Sequence, residues 1–347
     1  MGREIGELDS RPHLTFTFCC AFINRCWCNP YFRTISESQE ELVPTRKANM
    51  GGEESTPART PSPPPPKKEF DQQWRKTCWS KEERDHMVDE LRNFKLSDPD
   101  VGQLRCLLYG PVGVGKSSFI NSVNNVFQNR ITSSALVAST SGTSFTMTYD
   151  THYIQGRSGE KRLPFAFNDV MGLETQKNGL HPDDIVNALK GHLPEGYEFN
   201  PFHPLSDQKR EFIQNPRLSD KTHCLVSIVS ADKISIMSKD VIDKMKNIRA
   251  EASRLKIPQV VVMTMPDKAC ELVNKDVKRI YYSKAIKEKM ELCSNELGLP
   301  MNCILPVKNY HEEGMLDNDM DILILNAMTQ IMNFANDYLW QLQQHAI

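Results

Sequence analysis

One octapeptide, Gly110–Ser117, constrains the fold of this chain more than any other segment. It reads Gly-Pro-Val-Gly-Val-Gly-Lys-Ser and fits the pattern G-x-x-x-x-G-K-[ST] at every fixed position. The apolar segment Leu104–Tyr109 precedes it, and apolar residues at helical spacing follow it, from Phe119 to Phe127. A strand, this motif and a helix in that order predict a phosphate-binding loop, because a chance glycine-rich turn would lack both flanks.

Each residue type in the loop has a physical role in binding phosphate. Glycines let the backbone curl so that successive N–H groups converge on one anion, and the helix start adds partial positive charge. The residues expected to surround the anion are Gly110, Gly113, Val114, Gly115, Lys116, Ser117 and Ser118. Lys116 is expected at the β- and γ-phosphates, and Ser117 is expected to ligate Mg²⁺. The motif therefore predicts a nucleotide with Mg²⁺ as the ligand.

A second apolar segment, Leu163–Asn168, predicts a strand that ends in Asp169-Val170-Met171-Gly172. An Asp after such a strand holds Mg²⁺, usually through a water molecule. In GTPases the glycine of an Asp-x-x-Gly sequence senses the γ-phosphate through its N–H. We therefore expect Asp169 at the metal and Gly172 at the γ-phosphate, with a simple turn as the alternative.

Leu173 occupies the position at which Ras-like enzymes have a glutamine that orients the attacking water. A leucine side chain has no donor or acceptor for that water. Arg130 and Arg157 are candidates for an arginine finger, and neither is an obvious one. Slow intrinsic hydrolysis is therefore expected unless a partner or self-association supplies the missing group.

Four threonines precede this strand: Thr140, Thr143, Thr146 and Thr148. One threonine of a switch segment completes the Mg²⁺ shell when the γ-phosphate is present. The segment Ser144–Ile154 alternates like a strand, so we select Thr143, just ahead of it, as a metal ligand. Thr143 and Lys116 are also the candidate catalytic residues. The alternative is that threonines occur here because strands favour β-branched residues.

The segment Gln259–Met263 predicts a third buried strand, followed by Thr264-Met265-Pro266-Asp267. The Ras-like pattern here is [NT]-K-x-D, whose Asp accepts hydrogen bonds from N1–H and the 2-amino group of guanine. Adenine lacks these donors, so Thr264 and Asp267 favour a guanine nucleotide. Met265 replaces the usual Lys and can supply an apolar contact with the base. A helix cap is the alternative role for Asp267.

The segment Met301–Val307 predicts a strand whose following loop, Lys308-Asn309-Tyr310, would close over the other side of the base. Lys308 is a candidate contact in that loop. Tyr310 is available to stack on the base.

The composition of the chain excludes some classes of binding partner and of location. The chain has 347 residues, with 42 Lys and Arg against 44 Asp and Glu, so it is not a globally basic nucleic-acid binder. No apolar run reaches the roughly 18–20 residues that span a bilayer, so no transmembrane segment is expected. The ten cysteines do not follow the spacing of a disulfide framework. A reducing, cytoplasmic location is therefore expected.

Proline and polar residues dominate residues 34–68. Such a composition buries too little apolar surface to offset the entropy of ordering, which predicts a disordered linker. We therefore divide the chain into an N-terminal extension and linker (1–69), an amphipathic helical lead-in packed on the core (70–100), and a P-loop GTPase-like domain (101–347). In the lead-in, Ser80 and Glu83 form a capping box ahead of a helix at 81–94.

Alternating strands and helices predict an α/β fold, a P-loop NTPase with a Ras-like GTPase core. We expect a mostly parallel six-stranded sheet with one antiparallel edge and helices on both faces. The expected strands are 104–109, 144–154, 163–168, 223–229, 259–265 and 301–307. The expected helices of the domain are 116–127, 183–193, 238–256, 276–297 and 319–342. Residues 191–221 look like an insertion, whose aromatic side chains could bind a second copy or another protein, although packing on their own domain is favoured.

The order of these motifs is similar to that of the interferon-induced protein 44 family. The segments that carry the resemblance are 110–118 with the following Phe119–Val123, Asp169–Leu173, Trp74 with Trp79, and Val307–Tyr310. The resemblance covers roughly residues 67–340. It implies a cytoplasmic GTP-binding protein induced by interferon, with antiviral and antiproliferative roles in the immune response. Some relatives carry a TLDc domain, for which residues 1–69 are too short and too polar.

Three functions are open at this point. The main expectation is a protein that binds GTP and GDP with Mg²⁺ and has slow or partner-dependent GTP hydrolysis, in which Lys116, Ser117 and Asp169 would serve a switch cycle. A non-hydrolysing GTP-binding scaffold is the first alternative, favoured by Leu173. An ATP-using P-loop enzyme is the second alternative, and Asp267 argues against it.

We predict that the residues before Lys67 are dispensable for nucleotide binding. A chain that starts at Lys67 should fold and bind GTP with the affinity of the full chain, because the removed part carries no motif for a phosphate or a base. Isothermal titration of both chains with GTP checks this, with thermal melting as the control for folding. A shortened chain that is unfolded or fails to bind would show that the tail belongs to the domain.

Overall fold

A computed structural model of the chain describes residues 67–132, 147–157, 162–174, 180–200 and 202–344. These residues belong to one compact unit, Pro64–Ile347. The expected linker before Lys67 and the switch threonine Thr143 lie outside the described residues.

Seven strands form one sheet in the described part of the chain. They are β1 (Leu104–Tyr109), β2 (Thr148–Gln155), β3 (Arg162–Asp169), β4 (Tyr197–Glu198), β5 (Cys224–Ser230), β6 (Gln259–Thr264) and β7 (Ile304–Pro306). Their order across the sheet is β4-β2-β3-β1-β5-β6-β7. The five strands from β3 to β7 in that order are parallel, and β2 and β4 add an antiparallel edge.

Helices connect the strands and follow the last one. They are α1 (Lys81–Arg92), α2 (Lys116–Gln128), α3 (Pro182–Lys190), α4 (Lys239–Arg254), α5 (Pro266–Ala269), α6 (Glu271–Lys275), α7 (Lys284–Leu297) and α8 (Asn318–Gln344). Serine side chains fix the starts of three of them: Ser80 for α1, Ser238 for α4 and Ser283 for α7. Each hydroxyl accepts a hydrogen bond from the N–H three residues on, which would otherwise have no partner in the helix.

The sheet is covered on both faces. Alternate side chains of β1 enter two different apolar clusters, because successive residues of a strand point to opposite faces. Leu107 and Tyr109 pack in one cluster with residues of α3, α4 and α7, whereas Cys106 and Leu108 pack in the other with residues of α1, α2 and α8. The central strand β1 therefore delivers the loop that follows it to the middle of the sheet's carboxyl edge, where ligands of such folds bind.

The expected P-loop NTPase fold is confirmed, with one strand more than the six expected. The additional strand β4 has two residues, too few to give an alternating pattern in the sequence. It lies in the insertion at 191–221 and pairs with Thr148 and Tyr149 of β2. Three of the insertion's aromatic side chains, Tyr197, Phe199 and Phe212, pack against the domain, while Phe202 is 62% exposed.

The expectation of a single helix at 276–297 is wrong. The segment Val277–Tyr281 is a 3-10 turn, and α7 begins only after Ser283. Asp276 accepts a hydrogen bond from Lys278 N, and Ser283 accepts one from Ile286 N, so two local caps divide the segment. The last strand is shorter than the expected 301–307. It covers Ile304–Pro306, because residues 301–303 form another 3-10 turn.

The segment before α1 covers the β7 edge of the sheet. Arg75 donates hydrogen bonds to the carbonyl oxygens of Ile304, at 2.9 Å, and Met301, at 2.6 Å. Its guanidinium also lies over the rings of Trp74 and Tyr281. An edge strand exposes unpaired backbone groups, so these contacts satisfy part of the β7 edge.

Among the described helices, none combines the length and the apolar composition needed to cross a membrane.

A buried histidine makes the fold sensitive to acid. His223 is fully buried, and its Nδ1 accepts a hydrogen bond from Arg105 N while its Nε2 lies 3.1 Å from the carbonyl oxygen of Leu218. This pairing requires the neutral ring, with Nε2 as the donor. Burial lowers the pKa of His223 to about 4, with a further contribution from the charge of Arg105, against the opposing effect of the Leu218 hydrogen bond.

We predict that His223 stabilises the fold above its unfolded pKa and that this contribution is lost as the pH falls from about 6.5 toward 4. Because unfolding at low pH lets the ring take up a proton, the native chain should lose about 2 kcal/mol from this group between pH 7 and pH 5. The variant His223→Gln keeps an acceptor and a donor but does not titrate. Its free energy of unfolding should therefore fall correspondingly less between the two pH values. Urea unfolding of both chains at the two pH values measures the difference. Equal pH dependence would contradict the role of His223.

Candidate nucleotide-binding site

The phosphate loop, residues 110–117, curls tightly against its neighbours. A Cβ atom on Gly110 would lie 2.2 Å from the carbonyl oxygen of Ile228 in β5, so no side chain fits there. Gly115 has φ of 89°, in the left-handed region, and is the N-cap of α2. Gly113 also has a positive φ, 72°. The backbone thus enters α2 in the conformation that lets N–H groups at a helix start face an anion.

Ser117 and Asp169 meet at the start of α2. The Ser117 hydroxyl donates to Asp169 Oδ2 at 2.7 Å. Asp169 is 1% exposed, and its other oxygen, Oδ1, has no hydrogen-bond partner among the described residues. Carboxylate and hydroxyl oxygens are the ligands that Mg²⁺ takes, and an unsatisfied buried carboxylate oxygen is costly without a cation or a donor. The residues present therefore fit a magnesium ion.

Lys116 is buried beside the same loop. The residue is 8% exposed. Its Nζ lies 3.5 Å from the carbonyl oxygen of Pro111, which makes a long hydrogen bond. Burial lowers the pKa of Lys116, and the negative charge of Asp169 partly opposes that shift. A phosphate group at the loop would add negative charge and favour the ammonium form.

Gly172 and Leu173 lie directly against the phosphate loop. A Cβ atom on Gly172 would come within 2.4 Å of Val112 Cγ2, so only glycine fits beside Val112. Leu173 N donates to the carbonyl oxygen of Gly110 at 3.0 Å, and Val112 N donates to the carbonyl oxygen of Leu173 at 3.3 Å. The two segments thus form a parallel β-bridge between Pro111 and Leu173. The Leu173 side chain is 2% exposed and lies in the apolar cluster.

On the other side of the loop, Thr264 ties β6 to the loop backbone. Its hydroxyl donates to the carbonyl oxygen of Val114 at 2.6 Å and lies 3.3 Å from that of Val229. Met265 follows in the left-handed conformation and is the N-cap of α5. Asp267 is half-buried in the first turn of α5, and its carboxylate makes no hydrogen bond to any described residue and does not cap the helix.

In the loop after β7, Lys308 forms an ion pair and Tyr310 differs from the expectation. Lys308 donates to Glu313 Oε1 at 2.8 Å. Burial would raise the pKa of Glu313, but hydrogen bonds from Lys308 and from backbone N–H groups hold it at about 2. The expectation that Tyr310 stacks on a base is wrong, because its ring is buried and its hydroxyl donates to Asp321 Oδ1 at 2.6 Å.

Asn309 is the residue of this loop that reaches the phosphate loop. Its Nδ2 donates to the carbonyl oxygen of Gly115 at 3.1 Å, and its buried Oδ1 has no partner among the described residues. The contact with Gly115 does not follow from a sequence motif, since the short loop after β7 gives no periodic signal. Asn309 therefore joins the site as a residue that sequence reasoning gave no role.

Asp150 is a second residue that the motifs did not indicate. It lies opposite Asp169 in the antiparallel pairing of β2 with β3, where opposite side chains share a face of the sheet. It accepts a hydrogen bond from the Thr148 hydroxyl at 2.5 Å. The pairing register of β2, which the sequence alone does not give, is the signal that would have found it.

The described site thus collects most of the predicted residues at one edge of the sheet. The loop after β1 contacts the last residues of β3 and β6, Asp169 and Thr264, and Asn309 in the segment after β7. Ser118 lies in the first turn of α2, where its carbonyl oxygen accepts from Ser122. Asp267 and Lys308 stand at the same edge without touching the loop through a hydrogen bond. This arrangement can hold an anion at the helix start beside a cation.

Comparison with known proteins gives no matching family model. Among solved structures, the probable GTP-binding protein engB is 13% identical and has a TM-score of 0.38, over 66% of this chain and 98% of that chain. Toc33 from Arabidopsis thaliana, in complex with GDP and Mg²⁺, is 14% identical with a TM-score of 0.40, over 74% of this chain and 91% of that chain.

Sequence relatives are much closer. Interferon-induced protein 44 of Homo sapiens is 34% identical over 256 residues, which is 74% of this chain and 57% of the relative. The Mus musculus protein of the same name is 34% identical over 254 residues, 73% of this chain and 60% of the relative. Interferon-induced protein 44-like of Homo sapiens is 33% identical over 261 residues, 75% of this chain and 58% of the relative.

The matched segment spans little more than half the length of these relatives, 57% to 60%. This chain is about one third identical to each of them over about three quarters of its length. With its phosphate loop on a P-loop NTPase fold, the chain belongs to the interferon-induced protein 44 family.

Proposed function

We propose that this protein binds GTP and GDP together with Mg²⁺ and hydrolyses GTP slowly on its own. The observation that carries the proposal is the contact of Ser117 with the buried carboxylate of Asp169, at the start of the helix that follows the phosphate loop. A buried Lys116 next to this pair supplies positive charge for phosphate oxygens. Buried groups of both charges at a helix start suit a nucleotide with a divalent cation.

Mg²⁺ would be held by Ser117 and Asp169, with Thr143 as the predicted third protein residue. The cation would neutralise charge on the phosphates and polarise their oxygens. Lys116 would contact the β- and γ-phosphates, and the loop N–H groups would orient them. Lys116 and Thr143 remain the candidate catalytic residues of this proposal.

Asp267 would select guanine. Its carboxylate is half-buried and makes no hydrogen bond to a described residue, so it retains two acceptors for N1–H and the 2-amino group. Thr264, three residues earlier, anchors the same segment to the phosphate loop. A base and a phosphate group would therefore be held by segments that contact one another.

Slow hydrolysis follows from Leu173. Its side chain is buried in the apolar cluster and cannot orient a water molecule at the γ-phosphate. The same observation favours the alternative function, a GTP-binding scaffold that does not hydrolyse its ligand. Single-turnover measurements at rising protein concentration distinguish the two, because only partner-dependent hydrolysis accelerates with self-association.

The relatives are named as interferon-induced proteins, and we extend to this chain induction by interferon and a role in the immune response. We also propose a cytoplasmic location, in keeping with the unpaired cysteines among the described residues. Self-association or a protein partner would use exposed parts of the insertion, where Phe202 is the large exposed apolar side chain.

Titration of the full chain with GTP, GDP and ATP, each with Mg²⁺, tests the proposed function. GTP and GDP should bind, and ATP should bind at least tenfold more weakly because adenine offers no donors to Asp267. Equal affinity for ATP and GTP would overturn guanine selection. Absence of binding by any of the three would overturn the function itself.

We predict that Lys116→Ala lowers GTP affinity by at least two orders of magnitude, about 2.8 kcal/mol, since it removes the side-chain cation expected at the β- and γ-phosphates. Lys190→Ala is the matched control, because Lys190 is exposed in the last turn of α3. Calorimetric titration measures both, and melting of the ligand-free proteins verifies that both fold. A Lys116→Ala chain with native affinity would show that the phosphates bind elsewhere.

We predict that Asp267→Asn weakens GTP binding at least tenfold, about 1.4 kcal/mol or more, because the amide presents a donor where guanine also presents donors. Asp243→Asn makes the same change of charge at an exposed position of α4 and should bind GTP as the native chain does. Fluorescence competition with GTP measures both. An Asp267→Asn chain that binds GTP normally would leave the carboxylate with no part in base recognition.

A further inference from the structure

The bridge between Pro111 and Leu173 ties together two segments that have separate tasks in the proposed function. One is the phosphate loop, and the other is the Asp-x-x-Gly segment expected to sense the γ-phosphate. Two backbone hydrogen bonds join them, Leu173 N to Gly110 O at 3.0 Å and Val112 N to Leu173 O at 3.3 Å. The segment 170–173 therefore continues the parallel pairing of β3 with β1 beyond the ends of both strands.

Side chains reinforce this bridge. Leu173 is 2% exposed and packs in the cluster that also contains Ile185 and Leu189 of α3. Val170 and Met171, which precede it, are buried in the same cluster. On the far side, Lys244 of α4 donates to the carbonyl oxygen of Glu174 at 2.7 Å. The segment is thus fixed at both ends and in its middle.

Val112 and Gly172 bring the two segments into direct contact. A Cβ atom on Gly172 would lie 2.4 Å from Val112 Cγ2 and 2.9 Å from Val112 Cα. Gly172 therefore lies with its backbone against Val112. Moving it toward or away from a γ-phosphate requires the bridge to open and the leucine to leave the apolar cluster.

We propose that Leu173 is a positioning residue that holds the Asp-x-x-Gly segment in one position, where this segment makes no contact that differs between GTP and GDP. The proposal rests on the proposed function, because it concerns the same nucleotide. A segment that keeps one structure and makes the same contacts with either ligand contributes nothing to the difference in their affinities. Leu173 acts through Gly172 and Val112 and does not itself touch the nucleotide.

Hydrogen–deuterium exchange on the full chain tests the bridge. Peptides that cover 110–114 and 171–174 should exchange alike with GDP and with a non-hydrolysable GTP analogue, each in excess with Mg²⁺. Calorimetric titration of the native chain with GDP and with the analogue gives the native affinity ratio, against which the variants are compared. Exchange at 171–174 that differs more than about tenfold between the two ligands would overturn the proposal.

The variant Leu173→Ala should release the segment. Exchange in both peptides should rise at least about tenfold, and the ratio of GTP-analogue to GDP affinity should rise at least about tenfold above the native ratio, because a freed segment can order on the γ-phosphate. Leu189→Ala is the matched control, since it removes the same groups from the same cluster without touching the phosphate loop. It should lower the melting temperature but leave both peptides and the affinity ratio unchanged.

Leu173→Met, which conserves volume, should keep the native exchange and the native ratio. If Leu173→Ala fails to fold, Leu173→Val replaces it and Leu173→Met remains the conservative control, so the test stays decisive. A variant with an opened bridge and an unchanged affinity ratio would overturn the role in specificity. If neither nucleotide binds the native chain, the proposed function fails and the specificity claim fails with it, whereas exchange in the ligand-free chains still shows whether Leu173 holds the bridge.

Discussion

Two buried groups of opposite charge at the start of α2 are the constraint on which the site depends. Asp169 is 1% exposed and Lys116 8% exposed, yet one carboxylate oxygen has no described partner and the ammonium has one long contact. Leaving ionised groups out of water without full pairing is unfavourable by several kcal/mol per group, and a bound anion and cation would offset that cost. A ligand that completes both sets of contacts would also stabilise the folded chain.

The neighbouring loops hold these groups in place. Thr264 and Asn309 each donate to a carbonyl oxygen of the phosphate loop, and hydrogen bonds of this kind contribute about 1 kcal/mol each. Tyr310, next to Asn309, binds Asp321 of α8, which also pairs with Arg84 of α1 at 2.9 Å. The helix before the domain's first strand and the last helix are therefore connected to the phosphate loop through one short loop.

The sequence predicts the parts of this structure that have a strong local signal. The strand before Gly110 and the helix after Ser117 were expected from apolar periodicity, and the α/β fold followed from repetition of that pattern. The two-residue β4 and the burial of Tyr310 were not, because they depend on contacts between distant segments, and the split before α7 was not, because its two local caps carry no periodic signal. In the site, Asp169 and Thr264 were predicted from motifs. The contact of Asn309 with Gly115 and the bridge of Leu173 to the loop arise only from the packing of the sheet's carboxyl edge.

Leu173 bears on both hydrolysis and the position of Gly172, because its buried side chain has no group to orient a water molecule and its backbone is bonded to the phosphate loop. The proposed function requires that the chain bind a guanine nucleotide and scarcely cleave it alone. Single-turnover cleavage of GTP by the dilute native chain, with Mg²⁺ and protein in excess, tests this most directly. We expect a rate on the order of 10⁻³ s⁻¹ or slower, as for GTPases that lack a partner's arginine. Cleavage on the order of 1 s⁻¹ or faster by the dilute chain would contradict it.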